Sequence, residues 1–461
     1  MINLVLFVLF VFFVGYSFIC IFPVKLTMLE LISFLFPVGS ILLTLFCWTL
    51  SILKIHYTFS TIYIPLLLIS VVFLIFKLFF ASKKSLVFFS SEREFVGGKL
   101  GTIVYFFVFA FILIEILAIF SQSISTKVYQ PDEYSQWAFQ AKMIFEGKDL
   151  KSFYGGPGFE TGFETYPSFI PLLAASFYFF SGSVIDSFVR AIGPIFLSSL
   201  LLFLYTRLVV ITKSKVISIC LIAIMISSGF VIFEMSTGLY ADIEYSYFYS
   251  ISSLLFISHL VDKENRSSLL YSAAFLGMAS WVKTDGQYMT IFHIMLLIFV
   301  YLNDKRFEVN TNKIKNVILF SIISLIIPFL WKIYTYANNF PVSRWGSFEL
   351  NLGYTFSMIS SSIQQIMNTT NWGMFWLLVF SMIVVNMYLG WYNNQIYLIV
   401  IIISNVIFLY VSYLLLFGAE ALTAASFSRY MLRTAPIALV YVGTVISLTL
   451  NIKLTREGGL K

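Results

Sequence analysis

Apolar runs about 20 residues long recur from one end of the chain to the other, separated by short polar turns. A run of that length crosses roughly 30 Å of hydrocarbon as a helix, and a helix satisfies its backbone polar groups internally, as lipid demands. The pattern predicts an all-α polytopic membrane protein with about 13 spans. They lie near residues 2–23, 30–53, 61–81, 99–121, 187–210, 216–235, 242–261, 268–282, 287–302, 314–336, 373–390, 395–417 and 429–451. One apolar stretch stays outside this count. "YPSFIPLLAASFYFFSG", from Tyr166, is short, holds two prolines and is bounded by polar loops. It is expected to be an interfacial or re-entrant helix belonging to an outer loop.

Three parts follow from the spacing. Residues 1–98 form a three-span extension with hardly a polar residue inside it. Residues 99–302 alternate spans with polar motifs and include a long outer loop, about 122–185. Residues 303–461 carry four more spans and a second outer loop, about 338–371. That loop holds Arg344, Trp345 and Glu349, then "YTFSMISSSIQQIMN", which reads as an amphipathic helix on the membrane surface.

Composition supports a membrane protein over the alternative of about three soluble domains that the length allows. Hydrophobic residues make up 59% of the 461 and charged residues only 11%. The net charge of +7 raises the question of nucleic acid, but the positions of the basic residues answer it. With the loop after the fourth span outside the cell, most Lys and Arg fall in cytoplasmic turns. They are Lys83, Lys84, Arg93 and Lys99; Lys213 and Lys215; Lys263 and Arg266; Lys305, Arg306, Lys313 and Lys315; and Lys453, Arg456 and Lys461. This positive-inside pattern sets orientation and implies no nucleic-acid partner. The N-terminus is then outside the cytoplasmic membrane and the C-terminus inside.

Cys20, Cys47 and Cys220 all fall within predicted spans, so no disulfide framework is implied. His56, His259 and His293 show no metal-ligand spacing. The first 23 residues lack a basic leader and a small-residue cleavage site, and are expected to remain as a helix.

Four polar motifs fall on the predicted outer face. In "YQPDEYSQWAFQAKMIFEGK", Pro131 suits the first turn of a helix, and Asp132 and Glu133 complement its positive end. Trp137, Ala141, Ile144 and Phe145 recur at helical spacing, which predicts an amphipathic helix over 131–147 at the interface. "TGLYADIEYSYFY" places Asp242 and Glu244 where a span enters from outside. "MASWVKTDGQYM" places Lys283, Thr284, Asp285 and Gly286 in an outer turn, and "SFSRYMLRTAP" places Arg429 and Arg433 at the outer end of the last span. Singly, each has a bland explanation: helix caps, a plain turn, or arginines snorkelling to headgroups. Together, on one face, costly ionisable groups at membrane depth point to a site. A carboxylate there can deprotonate an acceptor hydroxyl while cations hold a departing phosphate. A lipid-phosphate donor explains why such a site belongs at the interface.

On these residues the sequence resembles the multi-spanning bacterial glycosyltransferases of the GT-C fold class, related to protein O-mannosyltransferases and lipid A aminoarabinose transferases. "PDEYSQWAFQAK" looks like the acidic motif of the first outer loop, with Trp137 and Lys142 following it. "YPSFIPLL" is similar to a Tyr-Pro segment, here Tyr166 and Pro167, that enters an interfacial helix. "YADIEYSYF" resembles an Ala-Asp pattern, "WVKTDG" a Lys-x-acid-Gly turn and "SRYMLRTAP" a C-terminal arginine motif. The likeness covers about 99–302 and the last span, and leaves out 1–98. It implies Asp132 as the acceptor-activating base with Glu133 beside it, and Asp242 as a further acidic catalytic residue. Lys283, Arg429 and Arg433 would contact the donor phosphate; Trp137, Lys142, Tyr166 and Asp285 would contact substrate. The implied partners are a polyprenyl-phosphate sugar, a lipid- or glycan-linked acceptor and membrane lipids. Some members of the class use a divalent metal and others do not, so a metal is left open.

Two other classes fit the pattern less well. A transporter or lipid flippase favours charges near mid-membrane and paired inverted halves; here the motifs sit on one face and no halves match. An oligosaccharide polymerase or ligase relies on arginines and a histidine in a large outer loop, where this chain has carboxylates and no histidine.

Overall fold

The computed structural model describes residues 1–21, 26–80, 98–152, 166–261, 266–303, 311–340, 352–390, 395–416, 423–424 and 426–458. Among them every regular element is helical. Helices α1 (Ile2–Ile19), α2 (Met28–Ile52) and α3 (Phe59–Phe80) pack together, and α4 (Lys99–Ser125) follows. Eight described helices are long and apolar enough to cross a membrane, nine if one bent pair counts as a single span. The chain is thus an all-α polytopic membrane protein. The reading of about 13 spans adds 242–261, 268–282, 373–390 and 429–451, whose helices fall short of that measure of length and hydropathy.

The bent pair is where the expected span 216–235 departs from a continuous helix. After α8 (Ile192–Thr212), helix α9 (Lys215–Ile226) ends and α10 (Gly229–Thr237) turns from it by 76°. Gly229 makes the corner: its φ is +70°, and a Cβ there would run into the backbone carbonyls of Thr370 and Asn371. A local "SSG" is a turn signal that the apolar residues around it conceal.

The Tyr166 segment becomes α6 (Phe169–Ser181), which at 13 residues spans about 20 Å, too short to cross. It does not lie on the surface: Phe169 to Phe179 are buried against α1, α2, α3 and α5 (Ala138–Gly147). The described parts of the 122–185 loop therefore form a packed layer rather than a set of separate helices. Trp137 meets the Tyr166 ring edge-on at 6.2 Å, and Phe145 meets Tyr178 at 5.9 Å.

The centre is α11 (Asp242–Val261), buried along nearly its whole length although it carries several serines and tyrosines. Its neighbours include α8, α12 (Arg266–Val282), α18 (Ile396–Leu416) and α20 (Ala435–Gly458). Buried hydroxyls need partners, and several find them on other segments of the chain. Tyr247 donates to the Ser33 carbonyl at 2.7 Å, Ser246 to the Leu432 carbonyl at 3.0 Å and Ser252 to the Ser272 carbonyl at 2.8 Å. Helices α13 (Asp285–Asn303) and α14 (Thr311–Ala337) flank α12. The expected surface helix is present as α15 (Thr355–Met367), with Met358, Ser362 and Ile366 buried and Phe356, Ile359 and Ile363 exposed. Arg344, Trp345 and Glu349 lie outside the described residues. Short α16 (Thr369–Trp372), α17 (Phe375–Leu389) and the single turn α19 (Phe427–Met431) lie between α15 and α20 in the chain, with α18 between the last two.

Candidate active site

Four chain segments, far apart in sequence, meet in one chain of alternating charge. Asp132 flanks a short π-helical turn, Glu133–Trp137, that runs into α5. Its Oδ2 accepts from Arg429 Nη1, on α19, at 2.6 Å. Arg429 Nε donates in turn to Asp242 Oδ2, at the start of α11, at 2.9 Å. The other oxygen of Asp242 accepts from Lys283 Nζ at 2.8 Å. The ends of this chain differ in depth. The Asp132 and Arg429 side chains are 37% and 25% exposed, whereas Asp242 and Lys283 are 5% and 3% exposed. Asp132 and Arg429 are the face that a ligand can reach.

The turn after α12 sets the inner end. The N–H of Gly286 donates to the Lys283 carbonyl at 3.0 Å, and a Cβ on Gly286 would sit 2.6 Å from the Ser280 backbone. Only glycine permits that approach, so Lys283 closes α12 while Asp285 opens α13. Asp285 then pairs with Arg433 at 3.0 Å. Arg433 is buried, 5.0 Å from the Phe408 ring centre, so it braces the site from beneath instead of facing outward.

Aromatic rings enclose the cations. Lys283 Nζ lies 4.4 Å from the centre of the Tyr430 ring, and the Arg429 guanidinium 4.9 Å from that of Tyr240. Cations over ring faces in partly dry surroundings gain about 0.5–2 kcal/mol. Burial pushes the Tyr240 phenol above its ordinary range, with the Arg429 charge opposing it; the hydroxyl stays protonated. Burial likewise raises the Tyr166 phenol, which feels the charges of Asp285, Lys283 and Arg429.

Asp132, Asp242, Lys283, Arg429, Asp285, Arg433 and Tyr166 are thus gathered as a group. Glu133 is separated from its neighbour. Its carboxylate is wholly buried, pairs with Arg190 at 3.0 Å, and also accepts from the backbone N–H groups of Leu239, Gln130 and Tyr129. A carboxylate so fully engaged holds backbone in place, so its expected place beside Asp132 in the open site is corrected to a positioning one. Lys142 is also drawn elsewhere, to Asp186 at 2.7 Å, with Tyr178 donating to the other Asp186 oxygen. Trp137 is buried and packs on Tyr166. It is a wall of the loop layer.

Arg190, Tyr240, Tyr430 and Glu234 are not among the site residues expected from the sequence. Glu234 lies on α10, within electrostatic reach of Asp132 and Arg429. Arg190 carried a readable signal, a lone arginine in "FVRAIGP" at a span entry.

The residues present do not form a metal cage as they stand. No group of three or more His, Cys, Asp or Glu side chains with metal-holding geometry occurs among the described residues, and Asp132 and Asp242 both turn an oxygen to Arg429. What the arrangement offers is a reachable carboxylate beside a guanidinium whose charge is shared between two acids. No protein-family model matches the chain, and no curated protein matches it.

Proposed function

We propose that this chain is a membrane glycosyltransferase of the GT-C type, moving a sugar from a polyprenyl-phosphate donor to a lipid- or glycan-linked acceptor. In this reading it has about 13 spans, works at the outer face of the cytoplasmic membrane, and has its N-terminus outside and its C-terminus inside. The observation that carries the reading is the convergence of Asp132, Arg429, Asp242 and Lys283 from four distant segments onto one connected, partly exposed cluster.

The acceptor hydroxyl oxygen attacks the anomeric carbon of the donor sugar, and Asp132 takes the hydroxyl proton. The bond from that carbon to the phosphate oxygen breaks, and its electron pair leaves with the phosphate. Arg429 meets the charge that grows on that phosphate; charge-assisted contacts of this kind are worth about 1.5–3 kcal/mol. Asp242 and Lys283 hold the guanidinium at its angle from the dry side, which is preorganisation in the sense that matters for catalysis. The lipid tail lies among apolar helices while the headgroup reaches the cluster.

The test is turnover of a panel of polyprenyl-phosphate sugars by the purified protein in detergent. Transfer from at least one donor, falling about 100-fold or more in Asp132→Asn with the fold retained, is the expected result. No transfer from any donor, or full activity in the variant, overturns the reading.

A further inference from the structure

We infer that Asp132 and the donor phosphate compete for Arg429, so that the anionic donor binds first and its arrival frees the base. The inference rests on the reading above that Arg429 receives a lipid phosphate, and it adds an order of binding to that site.

Geometry supports the exchange. Asp132 makes no capping bond within its own helical turn, and among the described residues Arg429 is its hydrogen-bond partner. Glu133, next to it, is fixed to Arg190 and Leu239. The backbone is therefore pinned while the Asp132 side chain, 37% exposed, is free to rotate into the open. Arg429 cannot follow it, because Nε is held by Asp242 at 2.9 Å and the guanidinium lies over Tyr240. The inner pair, Asp242 and Lys283, is buried and stays intact. A single exposed contact, Asp132 to Arg429, is thus the one an incoming anion displaces.

The chemistry gives the exchange a purpose. While Asp132 Oδ2 accepts from Arg429 Nη1, that oxygen is engaged and cannot receive an acceptor's proton. Once phosphate takes the Nη1 position, the oxygen is released to accept the hydroxyl proton. An acceptor arriving before the donor meets an occupied carboxylate oxygen; one arriving after it meets an open one.

The experiment measures binding of a short-chain polyprenyl phosphate carrying no sugar, in detergent, to the full chain and to Asp132→Asn, Arg429→Gln and the double variant. Thermal unfolding of each is recorded alongside, and Arg429→Lys stands in where Arg429→Gln does not fold. Removing a competing ion-pair partner at a part-exposed site should tighten the lipid phosphate about three- to tenfold in Asp132→Asn. Arg429→Gln should weaken it at least about tenfold, and the double variant should be as weak as Arg429→Gln alone. Unchanged or weaker binding in Asp132→Asn overturns the competition while leaving the phosphate role of Arg429 standing. Tightening that persists in the double variant also overturns it, because a general charge effect needs no Arg429. Unchanged binding in Arg429→Gln instead removes the donor-phosphate reading itself.

Discussion

Glu133 and Arg190, 57 residues apart, form a fully buried ion pair with Nε and Oε1 3.0 Å apart. The pair joins the start of the first loop layer to the entry of α8, and the Leu239 N–H on the same carboxylate oxygen ties in the approach to Asp242. Two segments that bear acids of the site are thereby held at one separation.

Breaking that pair should cost stability before it costs chemistry. Removing one partner of a buried pair leaves an uncompensated charge, at about 3–5 kcal/mol. Glu133→Gln and Arg190→Gln should each lower the thermal unfolding midpoint in detergent markedly, while Asp132→Asn should leave it nearly unchanged. Glu133→Gln matching the wild-type midpoint would return this acid to the open site.

Asp242 and Lys283 should behave as one unit. Lys283→Met leaves Asp242 with Arg429 as its cation, and Asp242→Asn leaves two cations facing each other. Each single variant should be destabilised, and the double variant should recover part of the loss. The expected coupling energy in a double-mutant cycle is about 1–3 kcal/mol. Additive losses would mean that the two do not interact.

Gly286→Ala tests the turn. A methyl group placed 2.6 Å from the Ser280 backbone must push α12 and α13 apart. Overpacking of this sort costs about 1–3 kcal/mol. Transfer activity should fall more than stability, because Lys283 and Asp285 both move with the turn.

Orientation has its own measurement. With Cys220 replaced by Ala, since Cys20 and Cys47 are buried, single cysteines at the exposed positions Ser135 and Ser183 should react with an impermeant reagent from outside the cell. Cysteines at the exposed positions Lys213 and Asn303 should not. Reaction at Lys213 with silence at Ser135 would invert the proposed topology. Thr237, on the outer side by sequence, is buried and unsuited to labelling.

Much of the helical framework was legible in the chain because each helix closes its own backbone hydrogen bonds. In lipid that local condition dominates, so apolar length alone located α1 to α4, α8, α13, α14 and α18 to within a few residues. The same local logic found α6 as too short to cross, α15 as a two-faced helix, and the turn at Lys283 to Gly286. It also gathered Asp132, Asp242, Lys283 and Arg429 as residues of one face. What the sequence left undetermined was which charge meets which. Asp132 and Glu133 are neighbours with the same chemistry, yet one carboxylate is partly exposed on Arg429 and the other is sealed against Arg190. Nor does sequence reveal that Arg429, 297 residues further on, is the cation that holds Asp132. The pairing energy of charges depends on separation and on the dielectric around them. Both arise only once distant helices have packed, and so only the tertiary structure decided them.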